Sequence, residues 1–301
     1  MSRFASLLLF IALARPAVAE DFILVERGSP GLVPSMGWSF VSRYSGNLEF
    51  LASPLAFPLL SESPSAALMV GEALFVGEGN CSPCVPRLVR HDPAGTSFAF
   101  APVLGSVPTS IRLSTRGDLV VTTQSEVVRF DRASGAAVAT YDLAVRDGSF
   151  VSDTDVDPSG CRIAIAMFPD ILAYGTICGP PSAWTTVRLP TVPPNTLKGV
   201  RYLHDGTLLA SAKSIYHLDL DGHLIRKYES GQDTSCLLDV DRSGGEAVLA
   251  CGPYLLRLDL ESGEVSARVQ IRHGIAVGCI TTIEPETPAI PPRGHRRSVG
   301  H

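Results

Sequence analysis

The sequence predicts an all-β fold, a six-bladed β-propeller of four-stranded antiparallel blades, with seven blades as the alternative count. The evidence is internal repetition. A strand–turn–strand unit recurs with turn glycines 49, 40, 44, 43 and 41 residues apart, and a second apolar hairpin lies between successive copies. Two hairpins in about 43 residues make four strands, which is the size of a propeller blade. The turn glycines are Gly46, Gly95, Gly135, Gly179, Gly222 and Gly263.

The first hairpin of the repeat is clearest in EVVRFDRASGAAVATY from Glu126, SIYHLDLDGHLIRKY from Ser214 and YLLRLDLESGEVSARV from Tyr254. The second is typified by IRLSTRGDLVVTT from Ile111 and VRYLHDGTLLASA from Val200. Val, Ile and Leu alternate with polar residues, as in half-buried strands, and Gly in the turns permits the positive φ that tight hairpins need.

The blade count depends on the two ends of the repeat region. Five units are complete between Ser65 and Gln270. The sequence before them adds three strands, DFILVER, SFVSRYS and NLEFLAS, and GIAVGCITTIE from Gly274 adds one more. Three strands and one strand make a sixth blade shared by the N- and C-terminal segments. We therefore expect residues 275–283 to pair with residues 22–26, which removes the open sheet edges.

The domain boundaries follow from composition. Residues 1–19 read as a cleaved signal peptide, with Arg3, the apolar run LLLFIALA and an Ala17-Val18-Ala19 site. Residues 20–283 are the propeller, and residues 284–301 form a Pro-rich basic tail without apolar periodicity, expected to be disordered. The sequence predicts a secreted or periplasmic protein with no membrane span.

Charge and composition exclude some partners. The formal net charge is −5, and removal of Arg3 and Arg15 with the signal makes it −7. An acidic body repels nucleic acid, and 7% aromatic residues argue against a surface built on stacking. The expected partner is a protein or a small-molecule ligand, and the expected state is a monomer.

The seven cysteines suit an oxidising compartment. Two pairs lie symmetrically about hairpin turns, so each is predicted to form a disulfide across its hairpin. The pairs are Cys161 with Cys178, and Cys236 with Cys251.

Cys81 and Cys84 form CSPC in a loop between two strands. We predict a loop-closing disulfide there, with a redox-active pair and half a zinc site as alternatives. Cys279 is left over, either as a buried thiol or as an alternative partner of Cys236.

The repeats, as in LLRLDLESG, resemble those of NHL, SMP-30/lactonase and quinoprotein-like propellers. The resemblance covers nearly the whole mature chain but includes no catalytic motif. For SMP-30-type lactonases it implies hydrolysis with a divalent cation, Ca²⁺ or another, held at the channel mouth by carboxylate and Asn oxygens. Asp153, Asn80 and Asn195 are the candidate ligands here, without a position-by-position match to the family motif.

A ligand is expected at the channel mouth, where loops enter the first strands of the blades. The candidate residues, Asp153, Lys198, Asp233 and His273, precede or begin these strands. They would hold a cation through the carboxylates or a small anion through Lys198 and protonated His273. The alternative is that Asp153 pairs with Lys198 in an inert rim.

Three functions compete. A ligand-binding or protein-interaction scaffold outside the cytoplasm is favoured, because the structural repeat is regular and the sequence contains no cluster of catalytic residue types. The alternative is a metal-dependent hydrolase of the SMP-30/lactonase type with its site at the channel mouth. A quinone-cofactor dehydrogenase ranks third, since the chain is short for that class and shows no cofactor stack.

Overall fold

The structure is a computed structural model. It describes residues 20–28, 38–58, 64–79, 85–94, 96–101, 104–143, 149–179, 184–189, 197–240, 245–272 and 276–284. The described residues form 24 strands in six four-stranded antiparallel sheets. Among them no helix is long and apolar enough to cross a membrane.

Each sheet is one blade, with its strands in order from the inner to the outer edge. Blade 1 contains β24 (Ala276–Thr282), β1 (Phe22–Gly28), β2 (Trp38–Tyr44) and β3 (Phe50–Pro58). Blade 2 contains β4 (Ala66–Val70), β5 (Ala73–Glu78), β6 (Arg87–His91) and β7 (Ser97–Ala101). Blade 3 contains β8 (Ser110–Leu113), β9 (Leu119–Thr122), β10 (Glu126–Phe130) and β11 (Ala137–Asp142).

The remaining blades follow the same order. Blade 4 contains β12 (Phe150–Val156), β13 (Arg162–Phe168), β14 (Ile171–Thr176) and β15 (Thr185–Arg188). Blade 5 contains β16 (Gly199–Tyr202), β17 (Leu208–Ser211), β18 (Ser214–Leu218) and β19 (Leu224–Glu229). Blade 6 contains β20 (Cys236–Val240), β21 (Glu246–Cys251), β22 (Tyr254–Asp259) and β23 (Val265–Gln270).

The ring closes through blade 1, as the strand count predicts. β24 pairs antiparallel with β1, with Phe22 opposite Thr282 and Val25 opposite Cys279. The inner strands β24, β4, β8, β12, β16 and β20 contact one another in this order, and β20 contacts β24 again. Because the last of the described strands fills the inner position of the first blade, each blade has a neighbour on both sides.

The hydrophobic core lies between the blades. Ile215 of β18 and Leu249 of β21 belong to one buried cluster, and Val127 of β10 and Ile163 of β13 belong to another. All of β9 and β17 is buried, whereas nearly every residue of β19 and β23 is at least partly exposed. In blades 3 and 5 the second strand is therefore part of the core, and in blades 5 and 6 the outermost strand faces solvent.

One turn shows why the repeat carries glycine. Gly135, between β10 and β11, has φ of 72°, and a Cβ there would lie 2.2 Å from the Phe100 carbonyl oxygen of the neighbouring blade. Both the backbone conformation and the close approach of blade 2 exclude a side chain.

Both hairpin disulfides are present. Cys236 and Cys251 are directly opposite in the β20–β21 ladder, with Cα atoms 4.3 Å apart. Cys161 and Cys178 are joined with Cα atoms 4.9 Å apart. In this second hairpin it is Ile177, not Cys178, that donates to the Cys161 carbonyl, so the predicted symmetry is off by one residue.

The other three cysteines differ in how far the structure describes them. Cys279 is a buried free thiol, which is the first of the two alternatives for this residue. The predicted Cys81–Cys84 loop lies outside the described residues, as do the signal segment and the tail after Glu284.

Candidate functional site

Arg201 of β16 reaches three other blades across the channel. Its guanidinium forms a short ion pair with Asp153 of β12, and its Nε lies 2.6 Å from Oδ1 of Asp239 on β20. Its Nη2 donates to the Ile280 carbonyl on β24 at 3.3 Å. The side chain is only 4% exposed, so one arginine ties the inner strands of four blades together in the interior.

Side chains on both flanks extend this network. Arg112 of β8 donates to Oδ1 of Asp153 at 3.1 Å and to the Thr154 carbonyl at 2.9 Å. The Thr282 hydroxyl donates to Oδ2 of Asp239 at 2.7 Å. The Thr281 hydroxyl donates to a carbonyl of β4 at 2.9 Å. Hydrogen bonds thus connect all six inner strands, and we call Arg112, Asp153, Asp155, Arg201 and Asp239 the channel network.

The charges of the channel network do not cancel, because it holds two arginines and three aspartates. Burial acts to lower the pKa of Arg201, but the nearby carboxylates outweigh burial and raise it. For Asp239, burial acts to raise the pKa, and Arg201, Arg112 and the Thr282 hydroxyl outweigh it, so the pKa is lowered. Burial raises the pKa of Asp155 to about 6, despite both arginines. Asp155 is therefore harder to keep ionised than Asp239.

Local backbone irregularity positions these carboxylates. β12 has a bulge at Ser152, which lets Val151 and Val156 pack against the same core although their positions differ in parity. Asp153 and Asp155 then face β16, where Oδ2 of Asp155 accepts the backbone N–H of Tyr202 at 2.8 Å.

Gly199 at the start of β16 permits the close approach of β12. A Cβ on this residue would lie 3.2 Å from Oδ2 of Asp153 and 2.7 Å from the Ser211 hydroxyl oxygen. Glycine here leaves room for the Asp153 carboxylate between the strands.

A cavity of about 460 Å³ opens at the carboxyl ends of the inner strands. Its floor includes Arg112, Asp155, Arg201 and Asp239, and its rim comes from the turns that follow β8, β12 and β16. Of the floor side chains Asp155 is the most exposed, at 16%, against 8% for Arg112 and 4% for Arg201. The rim and wall residues include Leu68, Ser114, Thr115, Val156, Asp157, Tyr202, His204, Val240 and Glu284.

The predicted ligand-binding residues that the structure describes belong to the opposite end of the channel. Asp153 is buried, with Arg112 and Arg201 as its ion-pair partners. Lys198 is half-buried immediately before β16, and its N–H donates to the Ser211 carbonyl. Asp233 is exposed in the loop before β20. His273 lies outside the described residues, and the small cavity beside Asp153 measures only about 10 Å³.

Of the three proposed cation ligands, the structure describes only Asp153. Asn80 and Asn195 lie outside the described residues. Each carboxylate oxygen of Asp153 receives a guanidinium N–H, and a carboxylate neutralised in this way does not suit a divalent cation. In the described part of the chain, one cluster places three potential metal-binding atoms within 4.8 Å of one another, on the exposed turn between β18 and β19. Its members are Asp219, Asp221 and His223.

Among solved structures, a chain from a crystal structure of a nidogen/laminin complex superposes with a TM-score of 0.65. The match covers 87% of this chain and 97% of that one, at 10% sequence identity. The fold is a six-bladed β-propeller. At this identity the likeness concerns the fold alone and does not single out the NHL, SMP-30 or quinoprotein-like groups. No protein-family model and no curated protein sequence matches the chain.

Sequence reasoning missed most of the channel network, although a signal was present. In four consecutive blades a charged residue lies five positions before a glycine that separates the first and second strands. The sign of this charge alternates from one blade to the next. The residues are Arg112, Asp155, Arg201 and Asp239, before Gly117, Gly160, Gly206 and Gly244. Equivalent positions in a propeller meet around the channel, so alternating charge at one repeat position indicates ion pairs between blades.

Proposed function

We propose that this protein is an exported β-propeller that binds a ligand or protein partner in the 460 Å³ cavity at the carboxyl ends of its inner strands. The observation that supports this most is the cavity floor. Arg201 is fixed by its ion pair with Asp239, and Arg112 is fixed by its hydrogen bond to the Thr154 carbonyl. The walls carry both apolar and polar groups. Concave sites that combine apolar walls with a few fixed polar groups are typical of binding sites.

The compartment is part of the same proposal. Two disulfides across hairpins suit a protein that folds in an oxidising environment, and the N-terminal sequence predicts export. The structurally similar chain comes from a complex of two proteins, which supports a role for this chain as a protein-recognition scaffold. In the same proposal the chain alone is a monomer.

The test is a selection of disulfide-cyclised peptides from a phage library against the oxidised, monomeric protein. We expect selected peptides to lose at least tenfold in affinity when Thr115→Trp narrows the rim. The matched control is Asp233→Trp, an exposed change at the other end of the channel, which should leave affinity unchanged. Peptides that bind all three proteins equally would refute the cavity as the recognition site.

The metal-dependent hydrolase stays a prediction, as does a ligand near Lys198, Asp233 and His273. Our proposal expects added Ca²⁺ or a chelator to leave the melting temperature unchanged. A calcium-dependent rise, together with lactone hydrolysis that disappears in Asp153→Asn, would replace the scaffold by the hydrolase.

A further inference from the structure

The channel network has one carboxylate in excess, and the ion pairs of the structure identify which one. Arg201 binds Asp153 and Asp239 directly, and Arg112 binds Asp153. Asp155 lies farther from both arginines, with its Oδ1 3.6 Å from Nε of Arg112. That Nε already donates to the Thr154 carbonyl. Asp155 is therefore the carboxylate of the network whose charge is least compensated.

Asp155 offers one oxygen to an incoming group. Its Oδ2 accepts the Tyr202 N–H, while Oδ1 accepts no hydrogen bond from any residue that the structure describes. The side chain is 16% exposed and lines the cavity. Asp157 at the adjacent rim differs from Asp155, because its carboxylate stabilises a turn. Its Oδ1 accepts the backbone N–H groups of Cys161 and Arg162.

Part of the cavity wall is apolar. Leu68, Val156 and Val240 line the same cavity, and they would contact an aliphatic chain that extends from the floor towards the rim. Glu284 adds a carboxylate at the rim. This combination suits a single positive group at the end of an aliphatic stem.

We infer that the cavity binds a guanidinium or primary ammonium group on an aliphatic stem, with Oδ1 of Asp155 as its acceptor. This inference rests on the proposed binding function of the same cavity and names the chemistry of the ligand. The group has two sources, an external ligand or partner side chain, and the protein's own sequence beyond Glu284. That sequence carries arginines at positions 293, 296 and 297, and nine residues span up to about 30 Å when extended.

The protonation of Asp155 gives the interaction a pH dependence. Because burial raises its pKa to about 6, the ionised acceptor is lost as the pH falls below that value, and a cation loses its partner. The charged groups around Asp155 are Arg112 on β8, Asp153 on β12, Arg201 on β16 and Asp239 on β20, with Asp157, His204 and Glu284 at the rim.

The test uses butylguanidinium and its neutral isostere butylurea, titrated calorimetrically into the full mature chain at pH 7.5. We expect butylguanidinium to bind and butylurea not to bind. Asp155→Asn should weaken butylguanidinium binding by about tenfold or more, because Asn keeps an acceptor for Tyr202 but loses the charge. Asp233→Asn is the matched control and should bind as the parent does.

The tail arginines distinguish the two sources. If the parent does not bind butylguanidinium but the Arg293→Ala/Arg296→Ala/Arg297→Ala variant does, the protein's own tail supplies the group. If neither protein binds it, or if Asp155→Asn binds it equally well, the inference is wrong. Should Asp155→Asn fail to fold, the test is made on whichever of the parent and the tail variant binds butylguanidinium, and its affinity must be lower at pH 5 than at pH 7.5.

Failure here differs from failure of the proposed function. Selected peptides that compete at the Thr115 rim, contain neither Lys nor Arg and bind Asp155→Asn as tightly as the parent would overturn the cation inference. They would leave the cavity as the recognition site. If butylguanidinium binds but no selected peptide loses affinity in Thr115→Trp, the cation site is retained and the protein-interaction role is wrong.

Discussion

Replacing Arg201 by Met tests whether the channel network holds the ring together. Met keeps most of the volume of the side chain but removes the guanidinium shared by Asp153 and Asp239. These carboxylates are only 8% and 10% exposed. Removing one partner of a buried ion pair typically costs about 3–5 kcal/mol of unfolding free energy, because the remaining charge stays desolvated.

Two opposing effects keep the expected cost in that range. Two carboxylates lose a partner rather than one, which favours the upper end. Asp153 retains Arg112 and Asp239 retains the Thr282 hydroxyl, which limits the loss. At about 2–4 °C per kcal/mol for a domain of this size, the melting temperature should fall by roughly 6–20 °C.

Urea unfolding at pH 7.5, followed by far-UV circular dichroism, measures this cost. The control is Arg43→Met, which removes a pair with Asp21 whose members are 41% and 29% exposed and should cost about 1 kcal/mol or less. Adding Asp239→Asn to Arg201→Met should recover part of the loss. If Arg201→Met costs no more than Arg43→Met, the channel network does not stabilise the ring.

Three further outcomes follow from the fold. Truncation from Gly274 onward should abolish cooperative thermal unfolding, because it removes β24 from the inner position of blade 1, whereas truncation after Thr287 should leave the melting temperature unchanged. Peptide mapping without reduction should recover both hairpin disulfides, each contributing about 3 kcal/mol or less by loop-closure entropy; a bond from Cys236 to Cys279 would contradict the hairpin pairing. Burial raises the pKa of the Cys279 thiol, so iodoacetamide should modify it only after unfolding.

The architecture could be predicted because local rules set it. Turn glycines at regular intervals and two hairpins per interval define a blade, and the strands before Ser65 and after Gly274 then require a shared one. The hairpin disulfides follow from antiparallel symmetry, which explains the success at Cys236–Cys251. The Cys161–Cys178 disulfide is also confirmed, but the register of the hairpin differs by one residue from the predicted symmetry. The strands pair about Pro169, so Cys161 lies opposite Ile177 and not opposite Cys178.

The cavity could not be predicted in the same way. Which end of a channel is open depends on how far side chains reach across the ring, and Arg201 spans it. In the sequence, Asp153 and Asp155 fit the alternation of polar and apolar residues along any half-buried strand. The face of the strand on which they lie depends on the bulge at Ser152. The position of Asp153 at the strand entrance suggests a ligand site, yet its neighbours make it an ion-pair partner, and Asp155 is the residue open to the cavity.

Asp155 and Asp239 should affect stability in opposite directions, although both belong to the channel network. The pKa of Asp155 is about 6 in the folded protein, above its ordinary value of 3.8. Its ionisation therefore costs folding free energy above pH 6, and that cost disappears as the pH falls from 6 to 3.8. The difference between the two values corresponds to at most about 3 kcal/mol at neutral pH.

Asp155→Asn should therefore stabilise the protein at pH 7.5 by up to about 3 kcal/mol, with the gain declining towards zero near pH 4. Asp239→Asn should destabilise it at pH 7.5, because the lowered pKa of Asp239 means that its ionised form stabilises the fold above its unfolded pKa. Urea unfolding of both variants at pH 4, 5, 6 and 7.5 measures the two trends. A pH-independent effect of Asp155→Asn, or destabilisation by it at pH 7.5, would show that Asp155 is not the excess charge. The same carboxylate would then have no unmet need for a cation, because its charge would already be compensated by Arg112 and Arg201.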